Sequence, residues 1–226
     1  MIMDLSLILE YTPLLLAGLK ITVFSCLGAL TIGLSLGLVL YPLSQSKSAP
    51  LRLCYRLYVT VFRGTPLLVQ VYLLFYGGPL LGLTLGAIEV GIWGMGFYVS
   101  AYFAEIYRGG FASLAKGQME AAYDLGFSPL QTLRKVQLPQ MLGLIIPPIT
   151  NQSIILIKES AILSIITVPE ISTAAIRMAT ETFSVIEPYL VLALAYWLLT
   201  TAVSAAGQKA EQRATHYLNP NVRNAA

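Results

Sequence analysis

Six residues with charged or hydrogen-bonding side chains lie in or beside long apolar stretches of this sequence. They are Arg63, Thr65, Gln70, Lys158, Glu159 and Ser160. Ionised side chains at the depth of a hydrocarbon layer are costly, so they are functional candidates by default. Arginine and lysine can face an anionic group and Glu159 a cationic one, while hydroxyl and amide groups complete the hydrogen bonds that a desolvated polar molecule needs. The six residues are therefore the candidate binding residues for a polar molecule.

Each charged residue in this set also has a structural interpretation, which the sequence leaves open. Arg63 lies near Arg52 and Arg56 in the chain, so it can anchor the start of a membrane span at the aqueous interface. Lys158 and Glu159 can instead form a pair that caps a broken helix.

The other reactive residues show no catalytic or metal-binding pattern. Cys26 and Cys54 match no metal or redox spacing. The single histidine, His216, lies in a polar C-terminal segment, where it is not a candidate for a buried base. The chain also has no glycine-rich phosphate loop of the ATPase type. We therefore expect neither a catalytic residue nor a metal ligand in this chain.

The elements that position these residues follow from a composition poor in charge. Of 226 residues, 56% are hydrophobic and 11% are charged, and the mean hydropathy is +0.72. A soluble domain carries roughly 25% charged residues, so lipid is the expected solvent. The net charge of +3 is too small to indicate nucleic-acid binding.

Five stretches without charge are candidate membrane spans. They are residues 21–46, 64–88, 90–104, 136–157 and 188–208. A helix needs about 20 residues to cross the hydrocarbon, and only the third stretch is clearly shorter. It reaches that length if Glu89 and Glu105 lie at its ends or if Glu105 faces the protein interior. We predict an all-α membrane protein with about five transmembrane helices.

Basic residues give the predicted orientation, because they accumulate in cytoplasmic loops. Three segments hold most of them: Lys47, Arg52 and Arg56; Arg108, Lys116, Arg134 and Lys135; and Lys209, Arg213 and Arg223. These segments are expected in the cytoplasm and the N-terminus outside. Residues 1–12 are expected to be an interfacial segment, residues 13–207 the transmembrane domain and residues 208–226 a cytoplasmic tail.

The cytoplasmic segment 109–142 is too long for a simple turn and is expected to carry two short helices. Good helix formers from Gln118 to Leu125 are followed by Gly126, where a left-handed cap is expected. Ser128, Pro129 and Gln131 form the pattern of a capping box that begins a second helix, and Pro139 is the expected place for it to end or kink. Such a pair can insert into a groove of a soluble partner, or it can merely connect two spans.

The spacing within this segment resembles a known motif. The sequence reads Glu120-Ala121-Ala122, three residues, Gly126, nine residues, Val136, one residue and then Leu138-Pro139. It resembles the EAA loop in the membrane subunits of bacterial ABC importers. Four other segments resemble the polar amino-acid permeases of the histidine/glutamine/arginine type. These are residues 63–70, 101–110, 116–118 and 158–164.

Two segments depart from the pattern of that family. The family more often has aspartate and threonine where this chain has Glu159 and Ser160, and Ala161 stands where a hydroxyl is frequent. Residues 95–99 are bulkier than is common there. The resemblance therefore identifies the family without identifying the substrate.

The resemblance implies a permease subunit with the ABC type I importer fold in the bacterial inner membrane. It implies two ATP-binding cassette subunits that carry ATP and Mg, a second permease subunit that is identical or homologous, and a periplasmic amino-acid-binding protein. Glu120, Ala121, Ala122 and Gly126 would couple the chain to the ATPase, and the six polar residues would face the substrate. Glu159 favours a polar amino acid, with a cationic side chain as one option.

Three alternatives remain at this stage. Glu120 can be a solvated acid near a helix N-terminus rather than a contact for an ATPase. A secondary transporter usually carries ion-coupling carboxylates at mid-span and an internal repeat, and no convincing repeat is present. A membrane scaffold without an ATPase partner would need no cytoplasmic helix pair.

Overall fold

Long apolar runs interrupted by prolines and glycines produce helices of very different lengths. The computed structural model describes residues 5–216, and all regular elements within them are helical. The α-helices are α1 (Leu5–Gln45), α2 (Ala49–Gly64), α3 (Leu67–Tyr72), α4 (Ala87–Ala112), α5 (Lys116–Asp124), α6 (Pro129–Thr132), α7 (Leu138–Glu159), α8 (Ile171–Thr182) and α9 (Ile186–Thr215).

Short irregular turns extend several of these helices. A π-turn (Leu73–Gly77) and a 3₁₀ turn (Gly78–Leu81) follow α3. A second π-turn (Leu133–Gln137) joins α6 to α7, and a 3₁₀ segment (Ser160–Ile166) continues α7.

Three continuous segments within residues 5–216 are long and apolar enough to cross a membrane. They are Ser6–Gln45, Pro129–Ile166 and Ile186–Thr215. They contain the predicted first, fourth and fifth spans. The predicted interfacial segment is not a separate element in residues 5–12, because α1 runs through it without a break; residues 1–4 of that prediction lie outside the described residues. The predicted tail is helical as far as Thr215, and residues 217–226 also lie outside the described part.

The second span differs from the single helix predicted over residues 64–88. The helix begins earlier, at Ala49, and bends by 105° between Gly64 and Leu67. Pro66 explains the break, because proline has no N–H for the helix and disfavours helical geometry in the residue before it. Thr65 is accordingly extended, with φ −120° and ψ 146°. Taken together, α2 and α3 with its extensions are apolar and long enough for a fourth span broken at the bend, or for a re-entrant loop.

Helix α4 contains the predicted third span and is the centre of the core; it is not among the segments of residues 5–216 that are apolar and long enough to cross a membrane. It is 26 residues long, and 13 of these residues are buried. The neighbouring helices therefore cover much of its surface, whereas the outer helices have faces that are left for lipid. Met95, Val99, Ala101, Phe103 and Ala104 are fully buried. Of the two alternatives given for this span, the structure favours the one in which Glu105 faces protein, since its partly buried carboxylate bonds to Tyr55 and Arg108.

Helices α1 and α4 approach each other closely because glycines remove side chains from their interface. A methyl group added to Gly37 would lie 2.9 Å from Phe103 Cβ and 3.1 Å from both Ala104 N and Ser100 O. Gly33 and Gly37 are four residues apart and therefore lie on one face of α1. Such stripes of small residues are the usual route to close helix packing in membranes.

Two expectations for the later part of the chain are corrected by the structure. Of the predicted end or kink at Pro139, the end is wrong, because the helical run continues past it; the irregular geometry is the π-turn Leu133–Gln137 just before the proline, where Leu138 N–H donates to Leu133 O five residues back. The predicted outer loop between the fourth and fifth spans contains a helix, α8, which packs on α1.

Candidate functional site

The loop between α4 and α7 has the two-helix form that the sequence predicted. Helix α5 ends in a pair of hydrogen bonds that define a Schellman cap: Phe127 N donates to Ala122 O at 3.0 Å and Gly126 N to Tyr123 O at 2.9 Å. Gly126 has φ +76°, in the left-handed region that favours glycine. The glycine therefore reverses the chain at the tip of the loop.

The second helix of the loop begins at the predicted capping box. Ser128 Oγ accepts from Gln131 N at 3.3 Å, and Gln131 Oε1 accepts from Ser128 N at 2.8 Å. Pro129 occupies the first helical position, where its missing N–H has no intrahelical partner to lose.

Contacts inside the loop fasten α5 to the π-turn before α7. Gln137 Nε2 donates to Met119 Sδ at 2.9 Å, and Lys135 Nζ lies 5.6 Å from the centroid of the Phe127 ring. Ala122 is buried, so it serves the packing of the loop. These contacts join the two halves of the loop to each other and to the π-turn that leads into α7.

The outer surface of the loop is apolar as well as charged. Tyr123, Leu125 and Leu130 are 81%, 74% and 55% exposed. Glu120, Ala121 and Gly126 are exposed beside them. Large apolar side chains exposed together on one element indicate a surface that another molecule covers.

Thr65 and Gln70 lie together at the bend of the second span. Gln70 Nε2 donates to Phe62 O at 3.0 Å, Thr65 O at 3.1 Å and Thr65 Oγ1 at 2.9 Å. These acceptors include backbone carbonyls that the end of α2 leaves without intrahelical partners. The two residues therefore stabilise the bend, while Gln70 Oε1 is buried and finds no donor within the described residues.

Arg63 lies in an ionic cluster centred on Glu105. Arg108 binds the carboxylate through two hydrogen bonds of 2.8 Å, and Tyr55 donates to Oε1 at 2.5 Å. Arg63 Nη1 is 3.7 Å from Oε2. Because the cluster joins the ends of α2 and α4, this geometry favours the anchoring interpretation of Arg63.

A tyrosine pair connects this cluster to Glu159. Arg63 Cζ lies 5.1 Å from the centroid of the Tyr102 ring, and the hydroxyls of Tyr102 and Tyr98 are 3.2 Å apart. Tyr98 donates to Glu159 Oε1 at 3.5 Å. Glu159 Oε2 is buried and has no donor among the described residues. Buried acceptors are usually bonded, so this oxygen is available for a ligand.

The structure separates the three residues predicted at the end of α7. Lys158 is exposed, Glu159 is half-buried against Tyr98, and Ser160 is fully buried. Within residues 5–216 no salt bridge joins Lys158 to Glu159, so the alternative in which they form a capping pair is not observed. Ser160 Oγ donates to Ile157 O at 2.7 Å. Because Ser160 is also fully buried, it has no surface exposed to a pathway.

Tyr98, Tyr102 and Glu105 were not predicted as site residues, although a sequence signal was present. Their spacing of four and three residues places them on one face of a helix. That face carries polar groups through a stretch that is otherwise apolar. The same pattern, applied to the third span alone, would have found the cluster.

Comparison with known proteins extends over both regions. A family model described as binding-protein-dependent transport system inner membrane component matches residues 13–216. The probable amino-acid ABC transporter permease protein YckA of Bacillus subtilis is 33% identical over 96% of each chain. The arginine transport system permease protein ArtQ of the same organism is 33% identical over 93% of this chain and 97% of its own.

A solved structure resembles this one closely. It is a crystal structure of an amino acid ABC transporter with histidines, 35% identical in sequence, with a TM-score of 0.86 over 94% of this chain and 100% of that chain. The comparisons give no support to a secondary transporter or a scaffold.

Proposed function

We propose, because this chain belongs to the family of binding-protein-dependent transport system inner membrane components, that its loop from Glu120 to Gly126 is the surface that receives motion from an ATPase. The chain is the membrane-spanning permease subunit of an amino-acid ABC importer in the inner membrane, and ATP hydrolysis resides on a separate subunit. The observation that carries the proposal is the exposed tip of the loop, whose Tyr123 and Leu125 have no cover within the described chain.

The coupling mechanism follows from how the loop is built. Its tip is apolar with Glu120 beside it, a combination that suits an apolar groove with a basic rim. A carboxylate in such a rim accepts charge-assisted hydrogen bonds, which are stronger than neutral ones. Because internal contacts fasten α5 to the π-turn, movement of the loop moves α7 with it.

The other proposed partners are those that membership of this transporter family implies. Two ATPase subunits that bind ATP and Mg dock below two permease subunits, which are either two copies of this chain or this chain with a homologue. A periplasmic binding protein delivers the amino acid from the other side. Alternation between inward-open and outward-open states is then a rigid-body rocking of the spans.

The substrate pathway is centred on Glu159 and the tyrosine pair. Glu159 Oε2 is the acceptor for the substrate's ammonium group or for a cationic side chain, and exposed Lys158 is the partner for its carboxylate. Gln70 Oε1 offers a second unbonded acceptor. Arg63, Thr65 and Ser160 support this site by fixing the bend of the second span, its contact with α4 and the end of α7.

Replacing Glu159 tests the pathway. Glu159→Gln keeps the shape and removes the charge, so we expect the amino acid to stimulate ATP hydrolysis with a half-maximal concentration at least about tenfold higher, since a hydrogen bond to a charged group contributes ~1.5–3 kcal/mol. The measurement is ATPase activity of the reconstituted complex against L-arginine, L-histidine and L-glutamine delivered by the binding protein. Co-purification of the ATPase is expected to be unchanged. Glu10→Gln is the matched control, because Glu10 is exposed on α1. Equal stimulation of Glu159→Gln and wild type would remove Glu159 from the pathway.

Labelling tests the proposed orientation. In a Cys54→Ser background, where Cys26 is buried, Lys47→Cys lies in the loop after α1 and Phe183→Cys in the loop after α8. We expect an impermeant maleimide to label Phe183→Cys in right-side-out vesicles and Lys47→Cys only in inside-out vesicles. The reverse pattern would invert the topology.

A further inference from the structure

A cluster of buried polar groups joins four helical elements behind the proposed pathway. Its members are Thr22 on α1, Ser160 at the end of α7, Glu170 before α8, Ser172 on α8 and Tyr196 on α9; we call it the buried polar cluster. Thr22, Ser160 and Glu170 have no exposed surface. A buried carboxylate is costly unless its oxygens are bonded, so a cluster of this kind needs an explanation beyond packing.

Glu170 holds the start of α8 against α1. Its Oε1 accepts from Thr173 N at 2.9 Å, as a helix N-cap, and its Oε2 accepts from Thr22 Oγ1 at 3.2 Å. Thr22 Oγ1 in turn accepts from Ile171 N at 3.1 Å. A methyl group added to Gly18 would lie 2.9 Å from Glu170 O, so the two segments are in close contact there. The acid is therefore fixed by bonds to two separate helices.

Tyr196 on α9 lies between Glu170 and the end of α7. Its hydroxyl lies 3.5 Å from Glu170 Oε2, 3.2 Å from Ser172 Oγ and 3.4 Å from Ser160 Oγ. Ser160 donates its only proton to Ile157 O, so Ser160 Oγ and Glu170 Oε2 are both acceptors that share the single proton of Tyr196, while Ser172 Oγ can donate to the tyrosine oxygen. The hydroxyl of Tyr196 thus lies between the bound acid and the residue that follows Glu159.

Ser160 connects the buried polar cluster to Glu159, because it is the next residue in the chain and begins the 3₁₀ segment. At this residue the α-helical pattern of α7 changes to the 3₁₀ pattern of Ser160–Ile166, which alters the direction of adjoining side chains. Glu159 is the last residue of α7, and within residues 5–216 the one hydrogen bond to its carboxylate comes from Tyr98, at 3.5 Å. The position of Glu159 therefore depends on what fixes Ser160.

We propose that Glu170 and Tyr196 are positioning residues for Glu159: the buried polar cluster fixes the end of α7 to α1, α8 and α9, so that the carboxylate of Glu159 is presented to the substrate. The proposal rests on the pathway role proposed above for Glu159. Neither Glu170 nor Tyr196 touches the substrate. They act through the backbone at Ser160, and they connect the substrate position with α8 on the side of the membrane opposite the coupling loop.

The test measures substrate affinity of the purified permease and ATPase complex in nanodiscs. The probe is radiolabelled L-arginine, L-histidine or L-glutamine, whichever the wild-type complex binds most tightly. Tyr196→Phe keeps the ring and removes the hydroxyl, and we expect the Kd to rise about fivefold, because one hydrogen bond contributes roughly 0.5–1.5 kcal/mol. Tyr189→Phe is the matched control on the same helix, since Tyr189 is half exposed, and its Kd is expected to equal that of the wild type.

A double-mutant cycle separates positioning from general stability. If Tyr196 acts through Glu159, Tyr196→Phe has no further effect on the Kd in a Glu159→Gln background. A purely structural role would weaken binding in both backgrounds alike. Glu170→Gln keeps one acceptor for Thr173 N, so it is expected to fold and to raise the Kd in the same direction. Thermal unfolding of each complex checks that it is folded.

The outcomes separate this proposal from the one it rests on. A Kd that rises for Glu159→Gln but not for Tyr196→Phe or Glu170→Gln would overturn the positioning role alone. Additive effects in the double mutant would do the same. An unchanged Kd for Glu159→Gln, or a wild-type complex that binds none of the three amino acids, would overturn the pathway role of Glu159 and the positioning role with it.

Discussion

We expect Gly126→Val to reduce uptake of the amino acid to background while the permease remains in the membrane. Gly126 has φ +76°, and a β-branched residue is strained there by roughly 1–2 kcal/mol or more. The strain disfavours the Schellman cap at the end of α5. The tip of the loop would then change its backbone conformation and no longer fit the proposed binding surface of the ATPase. The measurements are uptake by proteoliposomes that contain the ATPase and binding protein, and the amount of permease in the membrane fraction.

The comparison with Gly126→Asn isolates the backbone contribution. Asparagine tolerates the left-handed conformation, so this variant is expected to keep substantial uptake. Wild-type uptake by Gly126→Val would show that the cap has no part in coupling. Equal loss in both variants would mean that the partner's groove excludes any side chain at this position.

Reversal of charge at Glu120 is the companion experiment on the same surface. We expect Glu120→Lys to weaken co-purification of the ATPase at least about tenfold, because an attractive charge-assisted contact becomes a repulsive one. Asp124→Lys makes the same change one turn later on α5 and also at an exposed position, so it is the matched control. Similar losses for both variants would indicate general electrostatic repulsion rather than a specific contact at Glu120.

Gly37→Val is expected to have the second large effect, on the folded protein itself. The added side chain would meet backbone atoms of α4, Ala104 N and Ser100 O, at 3.1 Å from its Cβ, and backbone cannot move aside as a side chain can. Overpacking usually costs ~1–3 kcal/mol, and we expect the upper end of that range or more. The measurement is thermal unfolding of the purified complex together with its yield from membranes.

Gly109→Val provides the control for Gly37→Val. Gly109 lies in α4 with no atom within 4 Å of an added Cβ, so the variant has the same lower helix propensity without the clash. We expect it to unfold near the wild-type temperature. Unfolding of Gly37→Val within a degree or two of Gly109→Val would show that α1 and α4 adjust their spacing at little cost.

Local chemistry explains which parts of the fold were predictable from the sequence. The cap at Gly126 and the capping box at Ser128 depend on a few adjacent residues, and the structure confirms both. The short charge-free stretch before Glu105 left two positions open for this residue, at the end of the span or facing the protein interior. The sequence analysis did not predict the bend at Pro66, because it placed the second span by the absence of charge, and absence of charge does not show where a helix breaks.

Other features depend on residues far apart in the chain. Helix α8 was missed because a short helix with mixed polarity between acids looks like a loop. The burial of Ser160 follows from Tyr196, 36 positions later, and no local pattern reports such a contact. Arg63 was ambiguous for the same reason, and its partner Glu105 lies 42 positions away on another helix.

The unbroken helical run Pro129–Ile166 also determines how far a movement can travel. With ~1.5 Å of rise per residue, its 30 residues from the coupling loop to Glu159 form an arm of about 45 Å. Rotation of that arm by about 5° around its cytoplasmic end would displace Glu159 by about 4 Å, roughly the length of one residue. If the loop and Glu159 have the roles proposed above, a small tilt of this helical run at the ATPase would be enough to move the carboxylate of Glu159 into or out of hydrogen-bonding distance of an amino acid.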